Sequence, residues 1–115
     1  MVQRDGKEIS WTWKDYYKSV MDFAKSLHHL KCTEKTAVAI MGFNSPEWVI
    51  CSMGAIMNNN TFTGVYITNQ ADACLYQTNH SDAEVVCVDT IDNLKKFLKN
   101  REKMPQVKAF IVWGD

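Results

Sequence analysis

No excess of either charge marks this chain. Lys and Arg together number 13, Asp and Glu 13, and the formal net charge is zero. A dedicated nucleic-acid binder needs a basic surplus to neutralise phosphates, so that class is disfavoured. No apolar run reaches the roughly 20 residues that a bilayer-spanning helix requires. The opening MVQRDGKEIS has no apolar stretch, and we expect no secretory leader there. No CxxC pair is present, and the intervals between Cys32, Cys51, Cys74 and Cys87 fit no zinc pattern. Each cysteine lies in or beside an apolar run and reads as a buried free thiol, which favours a reducing, intracellular setting. Within MGFNSPEWV, residues 41–49, Gly42 is the only glycine. Neither the dinucleotide fingerprint GxGxxG nor the phosphate loop GxxxxGKS/T is therefore present. No linker, repeat or low-complexity segment interrupts the chain.

What is present suits one modest core. The 115 residues are 46% hydrophobic and 23% charged, an ordinary globular balance at single-domain length. KEISW, residues 7–11, reads as a short strand. Thr12 and Asp15 then form a capping box. The three-and-four spacing of Trp13, Tyr16, Tyr17, Val20, Phe23, Ala24, Leu27 and Leu30 predicts a helix over 13–30 with that stripe facing inward. TAVAIM, 36–41, reads as a buried strand. Ser45 fits an N-cap, Pro46 the first helical position and Glu47 the first turn. The spacing predicts a helix over 46–57, apolar nearly all round, that ends on Asn58-Asn59-Asn60 in left-handed geometry.

TFTGVYI, 61–67, is the next expected strand. Thr68 or Asn69 then caps a short helix to about residue 79, with Ala71, Cys74, Leu75 and Thr78 inward. EVVCVD, 84–89, is a third strand. Thr90 caps a helix whose core face is Leu94, Phe97 and Leu98, joined by Met104 before Pro105 prevents continuation. VKAFIVW, 107–113, is the fourth strand. Alternation of this kind predicts right-handed crossovers and an α/β fold with an open parallel sheet of about four strands. The fourth strand ends close to residue 115, and we expect the chain to be cut from something longer.

Candidate chemistry is thin. A helix N-terminus beyond a strand is where open α/β sheets hold anions. Here Pro46 offers no N–H and Glu47 already fills the positive end, so GFNSPEW reads as a helix entry and Trp48 as a packing residue. His28 and His29 point about 100° apart on a helix and do not share a metal readily. They suit the negative end of the helix dipole. His80, Ser81 and Asp82 are consecutive and diverge, unlike a catalytic triad. Asp89 follows a strand as a phosphoacceptor does, but residues 42–45 supply none of the acidic partners such a site needs.

GFNSPEW, with GVYITNQADACLY and VVCVDT, resembles the adenylate-forming enzymes, and among them the bubblegum-type long-chain acyl-CoA synthetases. The likeness runs from about residue 6 to residue 113. TWKDYY and the block DNLKKFLKNREKMPQVKAFIVW match in layout, whereas Asn58-Asn59-Asn60 stands where small residues and Gly are usual. The resemblance implies that residues 1–115 are a single α/β unit, an incomplete part of the N-terminal AMP-binding domain. It implies a full-length fatty acid–CoA ligase that uses ATP, Mg²⁺ and CoA, forming an acyl-adenylate and then a thioester. It implies too that the catalytic motifs lie outside this sequence, and no catalytic or metal residue is assigned.

Two weaker assignments follow from the resemblance. Tyr66, Ile67 and Thr68 correspond to a loop near the CoA pantetheine path, against the plainer reading of a strand end and cap. Lys95 and Lys96, with Lys99, Arg101 and Lys103, could attract CoA phosphates or an anionic membrane surface, against the plainer reading of a solvated helix face. The expected setting is cytoplasmic, peripheral to intracellular membranes, with the long-chain fatty acid, ATP, CoA and the rest of the polypeptide as partners and no nucleic acid. The competing readings are a free-standing flavodoxin- or receiver-like binding module and a fragment that serves as an interaction surface.

Overall fold

The computed structural model describes residues 2–114. Two short strands open the chain, β1 (Val2–Arg4) and β2 (Lys7–Ile9), paired antiparallel as a small hairpin apart from the main sheet. Asp5 and Gly6 turn it with φ of 50° and 70°. Both central residues at positive φ make the primed turn that Asp-Gly favours. The strand expected over 7–11 thus stops at Ile9 and joins a hairpin, because Asp-Gly gives it a partner three residues upstream.

Helix α1 (Trp13–His29) begins at the expected cap: the Asp15 N–H donates to Thr12 Oγ1 at 3.1 Å and the Thr12 N–H to Asp15 Oδ2 at 3.1 Å. Strand β3 (Ala37–Met41), helix α2 (Pro46–Met57), β4 (Thr61–Val65), α3 (Ala71–His80), β5 (Ala83–Val88), α4 (Ile91–Leu98) and β6 (Ala109–Val112) follow. The four later strands are all parallel, in the order β4-β3-β5-β6. That order places the topological switch between β3 and β5.

Alternation along β3 and β5 builds two core layers. Val38, Ile40, Val85 and Cys87 face α1 and α2, where Leu27, Cys51 and Ala55 close the layer. Ala39, Met41, Val86 and Val88 face the other way, onto Cys74 of α3, Phe97 of α4 and Met104. Both central strands are buried throughout, as strands covered on both faces must be. Cys51, Cys74 and Cys87 are buried free thiols and Cys32 is half-buried. Among the described residues, no helix is long and apolar enough to cross a membrane.

The inward stripe of α1 is shorter than its periodicity. Val20, Ala24 and Leu27 are buried, but Trp13 is 88% and Tyr17 60% exposed. The helices approach closely at Gly54 of α2, where an added Cβ would lie 2.6 Å from the Phe23 ring and 3.0 Å from the Val20 carbonyl oxygen. The first turn of α1 lies away from that crossing. Leu98, expected on the core face of α4, is likewise exposed, while Leu94 is half-buried and Phe97 and Met104 are buried.

Candidate functional site

The ligand-bearing edge of an open α/β sheet is formed where its strands end. Here four segments meet there: Gly42–Asn44 after β3, Tyr66–Asn69 after β4, Asp89–Thr90 after β5, and Trp113 after β6. At the switch point the segments brace one another. Asp89 Oδ2 accepts from the Phe43 N–H at 3.1 Å, and Asp89 Oδ1 from the Asn93 side-chain amide at 2.7 Å. A Cβ on Gly42 would stand 2.7 Å from the Trp113 ring and 2.8 Å from the Asp89 Cβ, so only glycine allows this approach. One Asp89 oxygen thus holds the loop after β3 and the other the first turn of α4.

The entry to α2 is built as a cap. Ser45 Oγ accepts from the Trp48 N–H at 3.3 Å and Pro46 opens the helix. Glu47 is held by Arg4 of the hairpin at 2.5 Å. Burial, the largest single influence, would raise the Glu47 carboxyl, but Arg4, the Glu47 N–H and the Ser45 hydroxyl together outweigh it and hold the group below its ordinary range. The helix end is therefore filled by the chain's own ion pair, and no phosphate-binding geometry is left at GFNSPEW.

Beside it opens a cleft of about 550 Å³ between the ends of β3 and β4, lined by Phe43, Asn44, Trp48, Gly64, Tyr66 and Ile67. Trp48 packs edge-on against Phe62 at 5.8 Å and lies 3.5 Å from where a Gly64 side chain would begin. Trp48 is thus a packing residue that also walls the cleft. Sequence reading saw the packing and missed the cleft, because Gly64 acquires meaning only once Trp48 is placed across it.

The segment after β4 turns sharply. The strand expected over 61–67 ends at Val65, and the Asn69 N–H closes a turn on the Tyr66 carbonyl at 3.0 Å. The Asn69 side chain donates to Gln77 at 2.9 Å, and Gln70 is the N-cap of α3 without a side-chain bond. Neither Thr68 nor Asn69 is the cap, since Asn69 is spent on the turn. Tyr66 and Thr68 are exposed, and Ile67 is half-buried against the core.

The lysines separate. Lys95 is exposed and pairs with Asp92 at 2.8 Å. Lys96 is half-buried, and its Nζ donates to the Ile67 carbonyl at 2.6 Å. Two residues singled out on different grounds are thereby brought into contact by α3 and α4 packing side by side. Lys99 and Lys103 are exposed. Arg101 is no free charge: its guanidinium donates to the Met104 and Val107 carbonyls at 2.7 and 2.9 Å and lies over the Phe110 ring. His80 stacks on Tyr76 and Ser81 Oγ bonds the Gln77 carbonyl, so the adjacent His, Ser and Asp form no triad. Among the described residues, no cluster of three His, Cys, Asp or Glu could hold a metal ion.

Comparison with known proteins agrees with this geometry. The AMP-binding enzyme family matches residues 1–114. A long-chain-fatty-acid–CoA ligase ACSBG2 of Gallus gallus is 34% identical over 114 residues, 98% of this chain and 15% of that protein. The ACSBG1 ligase of Homo sapiens is 34% identical over 113 residues, 98% of this chain and 16% of that protein. The chain thus spans about 15% of the length of the relatives it matches. Among solved structures, a fatty acyl CoA synthetase of Mycobacterium tuberculosis superposes with a TM-score of 0.82 at 16% identity, over 92% of this chain and 22% of that one. The anthranilate CoA ligase AuaEII, in complex with anthranoyl-AMP, gives 0.81 at 17% identity, over 87% and 19%.

Proposed function

Because the chain belongs to the AMP-binding enzyme family, we propose that it is a stretch of the N-terminal AMP-binding domain of a bubblegum-type long-chain fatty acid–CoA ligase. One observation carries this reading: identity to named long-chain-fatty-acid–CoA ligases continues through nearly all of the chain. The reaction would join a fatty acid carboxylate to the α-phosphate of ATP with release of pyrophosphate. The CoA thiol would then attack the acyl-adenylate carbonyl, releasing AMP and leaving the thioester. The free-standing flavodoxin- or receiver-like module is not favoured, since the AMP-binding enzyme family matches residues 1–114 and the identity to named ligases spans nearly the whole chain.

The residues present perform none of these steps. They shape part of a binding edge. Tyr66, Ile67 and Thr68 form the segment we assign to the CoA pantetheine path; Lys96 is tied to that segment through the Ile67 carbonyl, and Lys95 is paired with Asp92. Mg²⁺ is proposed for the full-length enzyme; no residue of this chain is assigned to it, and no step is routed through it here. A cytoplasmic protein peripheral to membranes is the accompanying proposal, resting on reduced thiols and the lysines of α4.

Expression of the complete coding region tests the reading. The product is expected to catalyse fatty-acid-dependent ATP–pyrophosphate exchange and to form acyl-CoA when CoA is added. The 115-residue chain alone is expected to do neither. Absence of exchange in the complete product, or exchange by the short chain, overturns the proposal.

A further inference from the structure

Among the described residues two lysines reach a distant backbone carbonyl: Lys108 donates to that of Lys31 while also paired with Glu84, and Lys96 does so with no carboxylate within ion-pair distance. Lys18, Lys25, Lys95 and Lys108 each lie within ion-pair distance of a carboxylate. Lys96 is half-buried, and its bond is to a backbone carbonyl, that of Ile67, 29 residues earlier in the chain. A charged donor on a neutral carbonyl makes a stronger bond than a neutral pair does. Its partner sits inside the Tyr66–Asn69 turn, whose own closure is the bond from the Asn69 N–H to the Tyr66 carbonyl. That turn has a second tie, from Asn69 to Gln77 of α3. The Lys96 bond reaches it from α4.

The cap of α3 makes this tie matter. Gln70 contributes no side-chain bond to the first turn of the helix, so the entry to α3 lacks a side-chain cap and is held locally only by the Asn69 bonds to Tyr66 and Gln77. Elsewhere the entries are fixed locally, by Thr12, Ser45 and Thr90. We infer that Lys96 is a positioning residue: from α4 it clamps the Ile67 carbonyl and so sets the conformation of the turn between β4 and α3, in place of an N-cap. Its consequence for CoA rests on the function proposed above. A turn held in one shape presents Tyr66 and Thr68 in fixed positions, and a loose turn must be ordered when the ligand arrives.

Amide hydrogen exchange on this chain reads the clamp directly. Lys96→Met keeps the aliphatic stem and removes the donor. It should speed exchange at Asn69 about tenfold, the scale of one lost charge-assisted bond, while Val86 in the central strand stays unchanged. Lys96→Arg, which restores a charged donor, should recover most of the protection. Unchanged exchange at Asn69, or acceleration at Asn69 and Val86 alike, overturns the inference. In the complete ligase, Lys96→Met should raise KM for CoA about threefold to tenfold and leave ATP–pyrophosphate exchange within about twofold. Equal loss in both half-reactions, or an unchanged KM for CoA, removes the CoA part of the inference. A wild-type ligase that forms no acyl-CoA refutes the proposed function, and Asn69 exchange still decides the clamp.

Discussion

Gly54 shows how a single missing side chain fixes the packing of two helices. An alanine there would improve helix propensity by about 1 kcal/mol. It would also set a methyl group 3.0 Å from the Val20 carbonyl oxygen and 2.6 Å from the Phe23 ring. The ring can shift, but the carbonyl belongs to the backbone of α1 and cannot. Overpacking of this kind costs about 1–3 kcal/mol, so sterics outweigh propensity. Gly54→Ala should lower unfolding free energy by about 1 kcal/mol, and Gly54→Val by about 3 kcal/mol. Urea unfolding followed by tryptophan fluorescence in dilute solution checks the order. An alanine variant more stable than the wild type would show that the helices separate freely. At this scale, what could be read in advance was local: Thr12 with Asp15, Ser45 with Pro46, and Asn59 at a φ of 61° each act within a few residues. The exposed Trp13, Tyr17 and Leu98 could not be placed in this way. Periodicity gives the direction a side chain points and not whether a partner helix reaches that far.

Elements are joined at the opposite end of the sheet by one carboxylate. Glu84 of β5 is buried to 8% exposure and accepts from the Thr33 N–H at 2.7 Å and the Thr33 hydroxyl at 2.8 Å, with Lys108 at 2.9 Å. It ties the α1–β3 loop and the approach to β6 onto the central strand. Burial alone would raise its pKa; the Lys108 and Thr33 donors together outweigh burial and hold it below the ordinary 4.5. A depressed folded pKa means the unfolded chain binds the proton more readily. The stabilisation is therefore complete above about pH 4.5 and is lost as pH falls through the lower folded value. Glu84→Gln should cost about 1–3 kcal/mol at pH 7, and the gap to wild type should narrow as pH falls below 4.5. Urea midpoints for both proteins across that range measure it, and a gap that does not change with pH would refute the assignment. This network was not visible in the sequence, because Thr33, Glu84 and Lys108 are far apart along the chain. The alternation of strands and helices and the parallel sense of the sheet were legible, since crossover geometry depends on order alone. The Asp5-Gly6 hairpin was legible in principle, because Asp-Gly carries its own turn geometry. The cap of α3 was not, since Asn69 closes a turn with Tyr66 that sequence alone does not announce.

On the whole molecule, apolar surface is left where the two layers end. Met53, Ile56 and Met57 of α2 are 43–50% exposed, and a groove of about 650 Å³ runs between Trp13 and Tyr16 on one side and Val49 and Met53 on the other. Both outer strands of the sheet, β4 and β6, have an edge unpaired among the described residues. Neither TFTGV nor AFIV contains a charge or a proline, the devices that normally keep such edges apart. An apolar face and two unguarded edges on one small unit favour self-association and a dye-binding surface. Sedimentation velocity should show a mass that rises with concentration, and an anilinonaphthalene dye should gain fluorescence on the native protein. The two sources separate by mutation. Lysines at Met53 and Ile56 remove the apolar face at exposed sites, where substitution changes stability by about 0.5 kcal/mol or less, and should lower dye binding. Phe62→Lys charges the β4 edge strand and should lower the mass while leaving more of the dye signal. A monodisperse monomer that melts in one sharp transition and binds no dye would show that these surfaces are covered in a way the packing of the two layers does not provide.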